Sequence, residues 1–184
     1  MTAATFITGN QNKADYLAKM LGMPIAHQKL VLDEVQAATV KEVVEHKVRQ
    51  AYDILNKPVI VDDVGLGYTA LGGLPGPFIK FFVEKPGGME MLCRMLDGFA
   101  DRSATVESVI GYYDGERLEL FRGVMNGTIA TSPGEPKVGW DWDVVFCPDG
   151  YNGRIRSELS QAEYDESYSS HKPFDQLRKF LTSL

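Results

Sequence analysis

Two adjacent aspartates, Asp62 and Asp63, follow a short β-branched run at residues 59–61. Neighbouring carboxylates repel each other and are costly to bury, and a bound cation offsets that cost. Mg²⁺ typically takes one or two protein carboxylates and fills its shell with water and substrate phosphates. Charge alone favours two solvated aspartates at a strand end. The glycine-rich stretch that follows weakens that interpretation, because glycines let the backbone approach a ligand closely.

The segment TGNQNK, residues 8–13, lies between a predicted strand and a predicted helix. Such a turn places backbone N–H groups where an anion can bind. Thr8 and Asn10 could donate to phosphate oxygens, and Lys13 would add a point charge. Helix capping by Asn10 or Asn12 is the alternative, and the Walker pattern GxxxxGK[ST] is absent.

Other candidates stand out by their neighbours. Lys47 lies within the apolar stripe of a predicted helix, so it either extends its ammonium to solvent or meets an anion.

In GWDWDVVF, residues 139–146, Trp140 or Trp142 could stack on a planar base, a contact worth ~1–3 kcal/mol. Asp143 could orient that ring or order the loop. A core tryptophan beside an ordinary turn is the alternative, and His171 alone indicates a surface histidine before a helix.

Strands and helices must position these side chains. They alternate in the early part of the chain, and a β-hairpin follows in the late part. That pattern predicts an α/β domain with a mixed sheet over residues 1–184. Apolar spacing predicts helices near residues 14–21, at Val40–Leu55, at 89–96 and from Pro173 onward. Strands are expected at residues 3–8, 25–32, 59–62, 105–113, 117–131 and 142–146.

The composition is that of an ordinary soluble protein, with 44% hydrophobic and 24% charged residues among 184. The net charge of −6 argues against a large duplex nucleic-acid footprint. No run is long enough to span a membrane, and the N-terminal residues lack a secretory pattern. Cys93 and Cys147 are expected to be buried reduced thiols, which suits the cytosol.

Taken in order, these motifs resemble one family, the inosine triphosphate pyrophosphatases of the HAM1 type. TGNQNK resembles the family's T-G-N-x-x-K motif, and VIVDDVGLGYTALGGLPGPFIKFF resembles its (E/D)-D-(S/T)-x-L-x-x-x-A-L-G-G-x-P-G segment. VGWDWDVVFCPDGY resembles F-G-(W/Y)-D-P-x-F-x-P-x-G-Y, and SHK resembles S-H-R. The ordered set covers nearly the whole chain.

The resemblance implies an elongated, twisted mixed sheet flanked by helices, with two lobes around a central active-site cleft. It also implies a homodimer. The cysteines, the net charge and the short apolar runs predict a cytoplasmic protein without nucleic-acid or membrane partners. The implied reaction is Mg²⁺-dependent hydrolysis of purine nucleoside triphosphates such as ITP, dITP and XTP to the monophosphate and pyrophosphate. Its purpose would be removal of damaged nucleotides.

The resemblance also assigns roles to individual residues. It implies that Asp63 orients or deprotonates the attacking water, while Asp62, Asp63 and Glu34 hold Mg²⁺. The implied phosphate residues are Thr8, Asn10, Lys13 and Lys47, of which the two lysines are also catalytic. The implied base residues are Trp140, Trp142, Asp143, His171 and Lys172.

Several positions depart from the family pattern, and they gather among the base residues. Asp141 and Val144 replace a glycine and a proline, Lys172 replaces the arginine of S-H-R, and a family lysine before S-H-R has no counterpart. Val64 replaces a hydroxyl residue after the two acids. The ammonium of Lys172 is a point charge, whereas the arginine that it replaces can donate two parallel hydrogen bonds. We therefore expect weaker discrimination between bases. The same reaction on another modified or pyrimidine nucleotide, and a nucleotide-binding protein without turnover, are the alternatives.

Overall fold

The structure is a computed structural model, and it describes residues 4–184, apart from the side chain of Asn12. Ala3, the expected start of the first strand, lies outside the described residues. The strands are β1 (Thr5–Ile7), β2 (Ala26–Gln28), β3 (Val59–Tyr68), β4 (Pro75–Gly76), β5 (Ser103–Tyr113), β6 (Leu118–Ile129) and β7 (Phe146–Pro148). The helices are α1 (Gln11–Leu21), α2 (Val40–Leu55), α3 (Ile79–Val83), α4 (Gly88–Arg94), α5 (Gln161–His171) and α6 (Phe174–Thr182).

Within the described residues, the strands form a seven-stranded sheet in the order β2-β1-β3-β5-β6-β7, with β4 paired to β3. β1 is parallel to both β2 and β3. β4 is antiparallel to β3, and β7 is antiparallel to β6. The predicted mixed α/β sheet flanked by helices is therefore confirmed.

Helix α2 begins and ends at the predicted residues because both ends carry strong local signals. Thr39 accepts a hydrogen bond from the Glu42 backbone N–H at 3.2 Å, and the Glu42 carboxylate accepts from the Thr39 N–H at 3.1 Å. This reciprocal pair is a capping box. At the other end, Asn56 takes the left-handed conformation with φ 50°, which ends the helix.

The strand expected at residues 59–62 is wrong in length, because β3 continues to Tyr68. Asp62 and Asp63 therefore lie inside the strand and not at its end. The glycines that follow serve close packing within the sheet: Gly67 pairs with Pro75, and a Cβ at Gly67 would lie 2.5 Å from the Gly73 carbonyl oxygen. Only a residue without a side chain tolerates that approach.

The strand expected at residues 142–146 is also wrong, since Asp141–Val144 forms a 3₁₀ turn and β7 begins at Phe146. The Asp143 carboxylate accepts the Trp140 backbone N–H at 3.0 Å, and Asp141 has φ 55°. This local side-chain bond offers the backbone an alternative to a strand ladder.

Three other elements differ from expectation. β2 spans only Ala26–Gln28, although Leu30 and Leu32 beyond it still pack against the apolar core. Helix α3 was not predicted. Helix α5 was not predicted either, and its last residue, His171, is buried and not at the surface.

The chain forms two compact units. The first unit comprises residues 1–64, 108–123 and 172–184, of which 4–64 are described at this end. Its core includes Val48, Ala51, Val59 and Val61, so α2 packs against the apolar start of β3. The second unit comprises residues 65–107 and 124–171. The single-domain assignment and the central cleft stay predictions.

Candidate active site

Asp62 and Asp63 are consecutive residues of β3 within the first unit. Consecutive strand residues direct their side chains to opposite faces. The two carboxylates accordingly contact different lysines, which come from different parts of the chain. The result is a carboxylate–lysine cluster of Lys13, Glu34, Lys47, Asp62, Asp63 and Lys172.

Asp62 is flanked by two ammonium groups, one at each carboxylate oxygen. Lys13 Nζ lies 3.8 Å from Oδ1, and Lys172 Nζ lies 3.5 Å from Oδ2. Burial raises the pKa of this carboxyl, but Lys13, Lys172 and Lys47 together hold the pKa below its ordinary value. Asp62 is therefore ionised at neutral pH.

Asp63 is held at both oxygens. Lys47 Nζ donates to Oδ2 at 2.8 Å, and the Val64 backbone N–H donates to Oδ1 at 2.8 Å. Lys47 also lies 3.6 Å from Glu34 Oε1. The cation in the apolar stripe of α2 thus meets anions, which decides between the two interpretations of Lys47.

The start of α1 places Thr8, Asn10 and Lys13 together. The Thr8 hydroxyl accepts the Asn10 N–H at 3.1 Å, and Asn10 Oδ1 accepts the Lys13 N–H at 3.3 Å. Asn10 is therefore the N-cap of α1, as the capping alternative expected. Phosphate binding by Thr8 and Asn10 stays a prediction.

The oxygen donors of this cluster suit a hard divalent cation such as Mg²⁺. Among the described residues, no three Asp, Glu, His or Cys side chains converge as a metal-binding group. Lys47 instead lies between Glu34 and Asp63. Mg²⁺ needs only one or two protein carboxylates, so the chemistry of this donor set suits the ion, and ligation by Asp62, Asp63 and Glu34 stays a prediction.

The second unit holds an aromatic cluster around Trp140. The Trp140 ring lies edge-on to Tyr164 and Tyr168, with centroids 6.2 and 5.8 Å apart. Trp140 is 46% exposed although it is a large apolar side chain. Its indole is therefore supported by two tyrosines and remains accessible to a planar group.

Asp143 forms a buried ion pair with Arg156. Arg156 Nη1 donates to Asp143 Oδ1 at 2.9 Å, and both side chains are 2% exposed. The other oxygen of Asp143 accepts from the Tyr164 hydroxyl at 2.9 Å and from the Trp140 N–H at 3.0 Å. Burial raises the pKa of Asp143 and Arg156 opposes that rise. With both oxygens engaged, Asp143 orders the loop that carries Trp140.

Trp142 and His171 pack inside the second unit. Trp142 lies edge-on to Phe146 at 6.0 Å and beneath the Arg156 guanidinium at 5.7 Å. His171 Nδ1 lies 2.9 Å from the Ser167 carbonyl oxygen. Because a carbonyl only accepts, Nδ1 carries a proton. Base contact by either residue stays a prediction.

Sequence reasoning missed Arg156 and the support from Tyr164 and Tyr168. A sequence signal for Arg156 exists, because this positively charged residue lies between the apolar residues Ile155 and Leu159. Lys47 lies among valines in the same way. Tyr164, Tyr168 and His171 are spaced by four and three residues, which is typical of one helix face. The ammonium of Lys172, a residue expected beside the base residues, lies 3.5 Å from Asp62 Oδ2, and base contact by Lys172 stays a prediction.

The model of the Ham1 family matches residues 4–180 of this chain. Inosine triphosphate pyrophosphatase of Scheffersomyces stipitis is 36% identical over the full length of both chains. The protein of the same name from Yarrowia lipolytica is 38% identical over 97% of this chain and 95% of its own.

Solved structures give the same picture of the fold. A HAM1 protein from Coxiella burnetii superimposes with a TM-score of 0.86 at 23% identity, over all of both chains. The Ham1 protein of Staphylococcus aureus gives 0.82 at 22% identity, over 98% of each chain.

Proposed function

The chain belongs to the Ham1 family, and we propose that it hydrolyses non-standard purine nucleoside triphosphates, such as ITP, dITP and XTP, to the monophosphate and pyrophosphate. The observation that carries this proposal is the carboxylate–lysine cluster. Two ionisable acids inside one strand are matched with three lysines, which suits a site for a polyanion and its cation. Removal of damaged nucleotides from the precursor pool is the proposed purpose.

Asp63 is the proposed base for the attacking water. Lys47 and the Val64 N–H fix its carboxylate, so its remaining lone pairs can orient a water molecule. The water oxygen bonds to the α-phosphorus, and the bond from that phosphorus to the α–β bridging oxygen breaks. Asp63 takes the water proton, and pyrophosphate leaves.

Lys13 and Lys47 are the proposed catalytic cations. Lys13 is 35% exposed in its side chain, so its ammonium can leave Asp62 for a phosphate oxygen. Fixed positive charge beside the phosphates stabilises charge that develops in the transition state. A divalent ion, proposed to be Mg²⁺ held by Asp62 and Asp63 with Glu34, would add further charge neutralisation.

Trp140 is the proposed stacking partner of the base, because its indole is exposed and supported from behind by Tyr164 and Tyr168. Trp142 and His171 are proposed to complete the base site, and Thr8 and Asn10 to bind the phosphates. Asp143 is proposed to act indirectly, by ordering the loop that carries Trp140.

A cytoplasmic setting and a homodimer are also proposed. Cys93 and Cys147 are free and buried, and burial raises the pKa of Cys93 to about 11, so its thiol stays protonated. Among the described residues, the helices lack a stretch both long and apolar enough for a membrane span. Neither nucleic acid nor membrane is a proposed partner.

Pyrophosphate release from ITP, dITP, XTP, GTP, ATP, dUTP and dCTP, with and without Mg²⁺, tests the proposal. We expect metal-dependent release from the first three. Asp63→Asn should lower kcat by about 10²–10⁴-fold, as loss of a general base does. Asp53→Asn, an exposed aspartate on α2, is the matched control and should retain full activity.

Release from other nucleotides would keep the mechanism and change the substrate. Full activity of Asp63→Asn would contradict the role of Asp63. If the wild-type protein turned over no triphosphate but bound them, the protein would be a nucleotide-binding protein.

A further inference from the structure

Lys172 stands where the family pattern has a base-reading arginine, yet its ammonium lies in the carboxylate–lysine cluster. Lys172 Nζ is 3.5 Å from Asp62 Oδ2. Its side chain is 4% exposed, and that of Asp62 is 13% exposed. The contact joins residues 110 apart in sequence, and both belong to the first unit.

The two lysines on Asp62 differ in how freely they can move. Lys13, at Oδ1, is 35% exposed, whereas Lys172, at Oδ2, is almost wholly buried. An exposed lysine exchanges partners readily, because water solvates its ammonium during the exchange. Separating a buried ammonium from its carboxylate costs more than separating an exposed one, because little solvent is available to stabilise the separated charges. Lys172 therefore stays with Asp62 when a ligand arrives.

Lys172 also sets the charge balance of the cluster. With it, the three lysines balance Asp62, Asp63 and Glu34. Without it, the cluster would carry one net negative charge, and a polyphosphate would be repelled. A point-like ammonium suits this role, whereas the flat fork of arginine suits a planar carbonyl.

We propose that Lys172 is a positioning residue of the triphosphate site: it holds Asp62 from the buried side and supplies fixed positive charge toward the phosphates. It does not read the base. This inference rests on the proposed function, because it takes the bound polyanion to be the triphosphate of a nucleotide.

Inorganic tripolyphosphate is a probe that has no base. Its affinity is measured by calorimetry in metal-free buffer, so the result needs neither turnover nor a bound metal ion. We expect Lys172→Met to weaken binding about tenfold, which corresponds to ~1.4 kcal/mol. Lys172→Arg keeps the charge, so it should lose less affinity than Lys172→Met does, although its larger, flat guanidinium fits the buried position less well.

Lys179→Met is the matched control, because Lys179 is exposed on α6 in the same C-terminal segment. It loses the same charge and should leave tripolyphosphate affinity unchanged. Far-ultraviolet circular dichroism and a melting curve verify that each variant is folded. If Lys172→Met does not fold, Lys172→Gln, which retains a donor to Asp62 without the charge, replaces it.

A second readout separates the phosphate role from a base role. The ratio of kcat/KM for ITP to kcat/KM for XTP, two expected substrates with different bases, should stay within about twofold in Lys172→Met, while both values fall. A drop of that ratio by more than tenfold with unchanged tripolyphosphate affinity would overturn the inference. Unmeasurable tripolyphosphate binding by the wild type would overturn it as well.

The two proposals fail separately. Absence of turnover by the wild type on every triphosphate would refute the proposed function, whereas a Lys172-dependent affinity for tripolyphosphate would still support the inference. If the wild type turned over ITP and the kcat/KM ratio fell more than tenfold in Lys172→Met, the proposed function would stand and the inference would be refuted.

Discussion

Lys47 and Arg156 are largely buried cations, and each is paired with an aspartate from another element. Lys47 on α2 pairs with Asp63 on β3, and Arg156 pairs with Asp143 in the preceding loop. A buried charge without a partner is strongly destabilising. Each pair therefore fixes the relative position of two segments as well as the two side chains.

Replacing Arg156 by Met should destabilise the fold by about 3–5 kcal/mol, because Asp143 would be left buried without its cation. Urea unfolding followed by circular dichroism measures this change. Arg156→Met combined with Asp143→Asn should cost less than the sum of the single changes, since the double variant leaves no unpaired charge.

The matched control for that change is Arg154→Met. Arg154 pairs with Glu163, but its side chain is 45% exposed, and exposed ion pairs contribute little. The urea midpoint of Arg154→Met should match wild type. Equal effects of Arg154→Met and Arg156→Met would contradict the assigned importance of burial.

At the scale of elements, α2 and β3 together position the proposed base. Val48 and Ala51 of α2 pack on Val59 and Val61 of β3, and this packing brings Lys47 to Asp63. The start of α2 depends on its capping box, so the cap contributes to the stability of the whole pair.

Thr39→Ala should destabilise the protein by about 1 kcal/mol, because the N–H of Glu42 loses its acceptor. A thermal melt in parallel with urea unfolding measures the change. Thr131→Ala, at an exposed loop position, is the control and should be neutral. A neutral Thr39→Ala would show that tertiary packing alone sets the start of α2.

At the scale of the whole molecule, the second unit exposes large apolar side chains. Leu74 is 52% exposed, Phe81 53% and Met91 40%, and Phe78 stacks on Phe81 at 6.4 Å. Exposed apolar side chains of this size favour association with another protein surface. Family resemblance identifies the proposed partner as a second copy of this chain.

Light scattering coupled to gel filtration should give twice the mass of one chain. Because an apolar interface is insensitive to ionic strength whereas exposed charge pairs are screened, the mass should persist in 1 M NaCl. The mass of a single chain at micromolar concentration would refute the homodimer.

Local patterns in the sequence determined most helices and the type of chemistry. The apolar spacing of α1, α2 and α6 and the side-chain caps of α1 and α2 depend on residues three or four apart, so one window of sequence contains the cause. The β-branched run before Asp62 predicted a buried strand, and the acids and lysines in family order predicted a phosphate and cation site.

Only the tertiary structure decided which charges meet. Lys172 contacts Asp62, which lies 110 residues away in the sequence, and Arg156 contacts Asp143, which lies 13 residues away. The extension of β3 past its aspartates depends on pairing with β4, and the turn at Trp140 depends on the Asp143 carboxylate. Such contacts are set by chain topology and burial, which no local periodicity encodes, and they bring the Lys172 ammonium to the Asp62 carboxylate.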